Sequence, residues 1–79
     1  MKMISYTDNS KRVHSRWVSD VVDMVTHNST LVIHFKDKEY WVIGSDKPAE
    51  LLFNVQTWMS SGEFVDINLM DRNLRKGKS

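Results

Sequence analysis

Residues 31–43 read LVIHFKDKEYWVI, and this stretch decides the fold. Two runs of β-favouring residues flank the polar pair Asp37-Lys38, a pattern that predicts a β-hairpin. Whether the loop has two or four residues, the expected pairing places Phe35 opposite Tyr40. Strand alternation then predicts one face made of Leu31, Ile33, Phe35, Tyr40 and Val42, and a second face that holds Val32, His34, Trp41 and Ile43.

Residues 17–25, which read WVSDVVDMV, fit either a strand or one side of a helix. The four valines favour a strand, because β-branched side chains pack well on a pleated surface. A polar turn then brings Asp23 opposite His34 and Val22 opposite Phe35. The first face therefore gains Val18, Val22 and Met24, and the second face gains Trp17, Val21 and Val25.

One helix is predicted after the hairpin. Ser45 and Asp46 can accept hydrogen bonds from its first amides, Pro48 suits the first turn, and Gly62 suits a left-handed end. An apolar stripe at helical spacing would lie on the first face of the sheet and consists of Leu51, Leu52, Val55, Trp58 and Met59.

Residues 63–69 alternate polar and apolar side chains and predict a final strand, while residues 3–6 predict a leading edge strand before a polar loop at 7–12. The expected fold is α+β, a small antiparallel sheet of four to five strands in the order (β)βββαβ with one helix packed on one face. Residues 1–70 are expected to form a single domain, and residues 71–79 a basic, flexible tail.

The second face of the predicted sheet has no obvious covering layer, because one helix covers one face. The sheet can curl into a half-barrel and bury that face, two copies can pack face to face, or a different macromolecule can bind there. Trp17 and Trp41 fit a core and an interface equally well. The residues predicted to bind a partner are Trp17, Val21, Val32, Trp41 and Ile43.

The net charge of +1 hides basic ends and an acidic middle. Residues 1–16 hold four Lys or Arg against one Asp, and residues 71–79 hold the same balance. Basic ends most often aid solubility, but they also suit nucleic-acid phosphates. The residues that would contact nucleic acid are Lys11, Arg12, Arg16, Arg72, Arg75, Lys76 and Lys78.

The sequence gives little support for a catalytic or metal-binding role. The chain has no cysteine, which excludes disulfides and thiolate zinc sites, and its three histidines lack the close spacing of a zinc motif. Asp23 and His34 are the only candidates for acid–base work, and a cross-strand ion pair is the simpler interpretation. We therefore expect no catalytic residues, no metal site and no cofactor.

The composition and the missing motifs together favour a binding protein. We expect a small non-catalytic, protein-binding regulator or inhibitor of phage or mobile-element type, which acts through the second face and forms a homodimer if two copies cover that face. The alternative is a nucleic-acid-binding module. Because the N-terminal residues form no signal peptide and no stretch approaches transmembrane length, the expected location is the cytoplasm, with no membrane partner.

Overall fold

The computed structural model describes residues 2–62 and 64–76. Within these ranges the chain forms an α+β fold of six strands and two helices. A short 3₁₀ helix, Val18–Asp20, joins the second strand to the third. The elements are β1 (Met3–Thr7), β2 (Val13–Trp17), β3 (Val21–His27), β4 (Thr30–Phe35), β5 (Tyr40–Gly44), α1 (Pro48–Ser61), β6 (Phe64–Asp66) and α2 (Ile67–Lys76).

The strands form two three-stranded sheets. In sheet A the order is β2-β1-β6, with β1 antiparallel to β2 and parallel to β6. In sheet B the order is β3-β4-β5, and both pairs are antiparallel. The α+β class is confirmed, but the single sheet with one helix is wrong. The 3₁₀ helix Val18–Asp20 interrupts the valine-rich run, so that Trp17 ends a strand of sheet A and Val21 begins one of sheet B.

The turn between β4 and β5 sets the register of sheet B. The Lys38 amide donates to the Phe35 carbonyl at 3.0 Å, and the Phe35 amide donates to the Glu39 carbonyl at 2.9 Å. Lys38 has a left-handed backbone with φ of 71°. This is a three-residue loop with a left-handed third residue, a common hairpin connection. Because the loop has an odd number of residues, the predicted pairing of Phe35 with Tyr40 is wrong by one position, and Tyr40 pairs with His34.

A one-residue change of register moves every side chain of β5 to the opposite face. Trp41 is 9% exposed and Ile43 is buried, whereas Tyr40 is 58% exposed and Val42 is also exposed. The Trp41 ring packs edge-on against Phe35, with 4.8 Å between the ring centroids. Trp41 and Ile43 therefore belong to the core, which consists of Ile4, Leu31, Ile33, Phe35, Trp41, Ile43, Leu51, Val55, Val65 and Ile67.

The strand predicted for residues 17–25 is confirmed from Val21 onward, where β3 continues to His27, and so is the pairing of Asp23 with His34. On the N-terminal side of Asp23 a β-bulge shifts the register, and Val21 rather than Val22 pairs with Phe35. Val22 is left without a partner position on β4 and is 62% exposed. Its predicted place in the core is therefore wrong, because the extra residue of a bulge turns away from the ladder.

Strand β1 lies in the centre of sheet A, not at an edge. It pairs with β2 on one side and with β6 on the other, and its Ile4 side chain is fully buried. The polar loop predicted at residues 7–12 is a tight turn in which the Asp8 amide donates to the Arg12 carbonyl. Strand β2, which follows this turn, was not predicted.

Helix α1 lies where the sequence predicts it, but the backbone of Gly62 at its end does not have the predicted left-handed conformation. Gly62 has an extended backbone, with φ of −93°, so no left-handed conformation requires glycine there. A Cβ at this position would instead lie 2.6 Å from Cε3 of Trp58 and 3.0 Å from the Trp58 carbonyl oxygen. Glycine is needed at residue 62 because the Trp58 ring occupies the space of a side chain.

The final predicted strand is too long, because helix α2 begins at Ile67. The Asp66 carboxylate accepts the Leu69 amide, as an N-capping residue does. Asn68 anchors the helix to β1 through both its amide atoms, which bond the backbone of Thr7 at 2.7 and 2.9 Å. The boundary predicted at residue 70 falls inside α2, and residues 77–79 of the predicted tail lie outside the described residues.

The register of β5 predicts opposite effects for two adjacent aromatic residues. Trp41→Ala removes a core side chain and is expected to lower the free energy of unfolding by about 3–5 kcal/mol. Tyr40→Ala removes an exposed ring and is expected to cost less than about 1 kcal/mol. Urea unfolding of the two variants measures the difference. Equal losses, or a larger loss for Tyr40→Ala, would contradict the register.

Candidate protein-interaction groove

The five residues predicted to bind a partner do not share one face. Trp41 and Ile43 are core residues and are not available to a partner. Val32 is half-buried on the outer face of sheet B, the face opposite the core. Trp17 is 41% exposed and Val21 is half-buried, and both lie where sheet B meets helix α1. The structure therefore keeps only Trp17 and Val21 together.

Trp17 and Val21 line a groove between the β2–β3 connection and the C-terminal half of α1. It consists of two adjoining hollows of about 350 and 510 Å³, which share Val18 and Met59. We call this surface the Trp17 groove and define it by Trp17, Val18, Val21, Met24 and Met59. The sequence-based set of partner-binding residues lacks Val18, Met24 and Met59. Val18 and Met24 were assigned to the helix-covered face of a single sheet, and Met59 to the helix stripe that would cover it.

The floor of the Trp17 groove is apolar. Val18, Val21, Met24 and Met59 are half-buried and pack from outside against the core. Trp17 stands at one end with a substantial part of its ring exposed. Methionine side chains are flexible and polarizable, which lets them adapt to different apolar groups. The groove thus offers an adaptable apolar surface beside an exposed indole.

Lys2 joins the two walls of the groove. Its ammonium donates to the carbonyls of Met59 and Ser60, each at 3.0 Å, at the C-terminal end of α1. Its own carbonyl accepts the Val18 amide at 2.9 Å. A cation at a helix C-terminus is also favourable for the helix dipole. Because one residue holds both the helix end and the 3₁₀ helix, the groove is already formed in the free chain.

The edge of β3 beside the groove is poorly suited to pairing with another strand. The Asp23 carboxylate accepts the neighbouring Met24 amide at 2.9 Å. The bulge at Val22 bends the strand at the same place. Bulges and charged residues are the usual means of blocking an edge strand. A partner in the Trp17 groove is therefore expected to present side chains, not a β-strand.

Within the described chain, the basic residues proposed for nucleic acid are divided among the β1–β2 turn, strand β2 and helix α2. Lys11 and Arg12 are exposed in the β1–β2 turn, and Arg72 is exposed on α2. Arg75 and Lys76 also belong to α2, and Lys78 lies outside the described residues.

Arg16 differs from the other basic residues because the fold already uses its charge. Its guanidinium donates two hydrogen bonds to the Asp37 carboxylate, at 3.1 and 2.9 Å. The same group lies 4.5 Å from the centroid of the Phe35 ring, a cation–π distance. The hydrogen bonds that Arg16 donates to Asp37 lower the pKa of Asp37 and raise the pKa of Arg16. Arg16 thereby ties sheet A to the β4–β5 turn.

A second carboxylate, Asp8, organises the β1–β2 turn. It accepts the amides of Ser10 and Arg12, and its other oxygen lies 2.9 Å from Nε2 of His14. The hydrogen bond with His14 is the main cause of the lowered pKa of Asp8. The Tyr6 ring stacks on His14, and partial burial raises the pKa of its hydroxyl. Asp8, His14 and Tyr6 therefore stabilise the β1–β2 turn.

The Asp23 and His34 pair does not form an acid–base site. Asp23 is bonded to the Met24 amide, while the His34 ring lies beside Tyr40 with 5.9 Å between the ring centroids. Within residues 2–62 and 64–76, no group of three His, Asp or Glu side chains is placed to hold a metal ion.

Comparison with protein-family models, with curated proteins and with solved structures finds no significant match to this chain. The helices in the described part of the chain are too short or too polar to cross a membrane. A function must therefore be inferred from the geometry of the surface.

The lowered pKa of Asp37 predicts the acid response of one variant. A carboxylate whose pKa is lower in the folded chain stabilises the fold above its unfolded pKa, near 3.8, and this stabilisation is lost as the pH falls through the folded value. Asp37→Asn should therefore be less stable than the wild type near neutral pH and should lose less stability on acidification. Urea unfolding at about pH 7 and about pH 3 measures both effects. An unchanged acid response would contradict a stabilising Arg16–Asp37 pair.

Proposed function

We propose that this chain is a small non-catalytic protein-binding module, a regulator or inhibitor that acts by occluding a partner. The observation that carries the proposal is the preformed Trp17 groove, which places a half-exposed indole over an apolar floor. Tryptophan is enriched among the residues that contribute most to binding free energy at protein interfaces. A groove that is formed before binding also lowers the ordering cost of association.

The shape of the groove indicates how the partner binds. Its floor of valine and methionine side chains fits one or two large apolar side chains. Because Asp23 and the bulge at Val22 hinder strand pairing, these side chains would come from a helix or a loop of the partner. Asp23, Gln56 and Ser60 line the groove beside this floor and supply polar contacts at its edge.

Trp17→Ala is expected to weaken partner binding by at least about thirtyfold, equivalent to roughly 2 kcal/mol, while the chain stays folded. Phe53→Ala is the matched control, because Phe53 is an exposed aromatic residue on helix α1 outside the groove. The measurement is affinity capture from a host extract, followed by titration of the purified partner and circular dichroism of each variant. A partner that binds Trp17→Ala and wild type equally well would overturn the proposal.

The nucleic-acid alternative is supported by the exposed charges of Lys11, Arg12 and Arg72. Replacing these three residues by Glu would abolish salt-dependent nucleic-acid binding if that were the function. Under the protein-binding proposal, the same variant retains its protein partner and the wild type binds nucleic acid weakly. Binding to single-stranded and duplex DNA at two salt concentrations separates the two functions. Tight binding that depends on these residues and not on Trp17 would favour the alternative.

A further inference from the structure

The outer face of sheet B carries a row of valines across all three strands. Val25 pairs with Val32, and Val32 pairs with Val42, so the three side chains lie side by side. Val25 is 40% exposed, Val42 is 48% exposed, and Val32 is half-buried between them. Two further rows flank the valines: Asp23, His34 and Tyr40 on one side, and His27, Thr30 and Gly44 on the other. We call these three rows the valine face.

We propose that a second copy of this chain covers the valine face. The two sheets pack face to face, and the two-fold axis runs along the valine row, perpendicular to the strands. Each strand then lies over the same strand of the other copy in the opposite direction. This is an isologous contact, in which one surface is complementary to itself.

The polar residues at the β3 edge of the valine face match under this symmetry. The rotation keeps each strand in place and exchanges the two flanking rows. Asp23 therefore faces His27 of the partner subunit, and His27 faces the partner subunit's Asp23. Each copy thus places a carboxylate against an imidazole at two symmetric positions, which favours this orientation.

At the β5 edge of the valine face, the side chains of the two copies are complementary in shape. The same rotation places the Tyr40 ring, which is exposed, over the partner subunit's Gly44. A Cβ added at Gly44 would find no atom within 4 Å, so the space above this glycine is open. The largest side chain of the face thus meets its only residue without a side chain. Between these contacts, the valine row packs against its own copy.

The other face-to-face arrangement, with the axis parallel to the strands, is less complementary. It would place His34 against its own copy and Tyr40 against the partner subunit's Asp23. The imidazoles would then meet each other, and the open space above Gly44 would face His27 of the partner subunit. Neither contact pairs a carboxylate with an imidazole, so the axis along the valine row is favoured.

The size of the face sets the expected strength. Three strands about 4.8 Å apart, with roughly five residues each at about 3.3 Å per residue, give a face on the order of 250 Å² in plan. This is smaller than the roughly 800 Å² per partner of a standard interface. The dimer is therefore weak and forms only at high protein concentration. Only Asp23 belongs to both the valine face and the lining of the Trp17 groove, so dimerisation leaves the groove open.

Sedimentation equilibrium of the full chain, up to about 1 mM, tests the dimer. The wild type is expected to pass from monomer to dimer over this range, and Val42→Lys to remain monomeric. Val13→Lys is the matched control, because Val13 is an exposed valine of β2, outside the valine face. This variant should dimerise as the wild type does. A monomeric wild type at the highest concentration, or a dimeric Val42→Lys, would overturn the proposal.

Two further variants test the axis. Gly44→Val has room in the monomer and should melt like the wild type, but it fills the space for Tyr40 and should weaken the dimer at least tenfold. His27→Glu places two carboxylates together and should also weaken the dimer. Asp23→Lys combined with His27→Glu places an ammonium group against a carboxylate and should recover the dimer. A double variant as weak as His27→Glu alone, or a Gly44→Val dimer of wild-type strength, overturns the axis along the valine row.

Discussion

The left-handed backbone at Lys38 is the constraint on which the arrangement of sheet B depends. It closes a three-residue loop between Phe35 and Glu39, and this odd length sets which side of β5 faces inward. With one residue more or fewer, Tyr40 and Val42 would enter the core and Trp41 would point to solvent. The composition of the core and the composition of the outer face are therefore decided together at one turn.

The sequence is sufficient to predict the hairpin, strand β3 and helix α1, because each has a periodic apolar pattern bounded by turn residues. It is not sufficient to predict whether the β4–β5 loop has an odd or an even number of residues. A glycine at position 38 would have indicated a left-handed residue, but the chain has lysine there, and lysine seldom adopts this conformation. The bulge at Val22 likewise has no local signal, because either valine fits a pleated surface.

Helix α2 was predictable in part. Ile67, Met70 and Leu74 recur at helical spacing, and Asp66 stands at the capping position. The alternation of Val65, Ile67 and Leu69 fits a strand equally well, and only contacts with distant residues such as Thr7 and Ser45 favour the helix. The Trp17 groove is even harder to predict from the sequence, because its walls are joined by a hydrogen bond between Lys2 and Met59, which are far apart in the chain.

The parallel pairing of β1 with β6 has a kinetic consequence. Met3 lies beside Phe64, so sheet A is complete only when residues 64–66 are available to pair with β1. Contacts between such distant residues must overcome a large loop-closure entropy before they add stability, and they slow folding. Sheet B, whose strands are neighbours in sequence, can form its hairpins while the chain is still emerging from the ribosome, but sheet A must wait until residues 64–66 have been made.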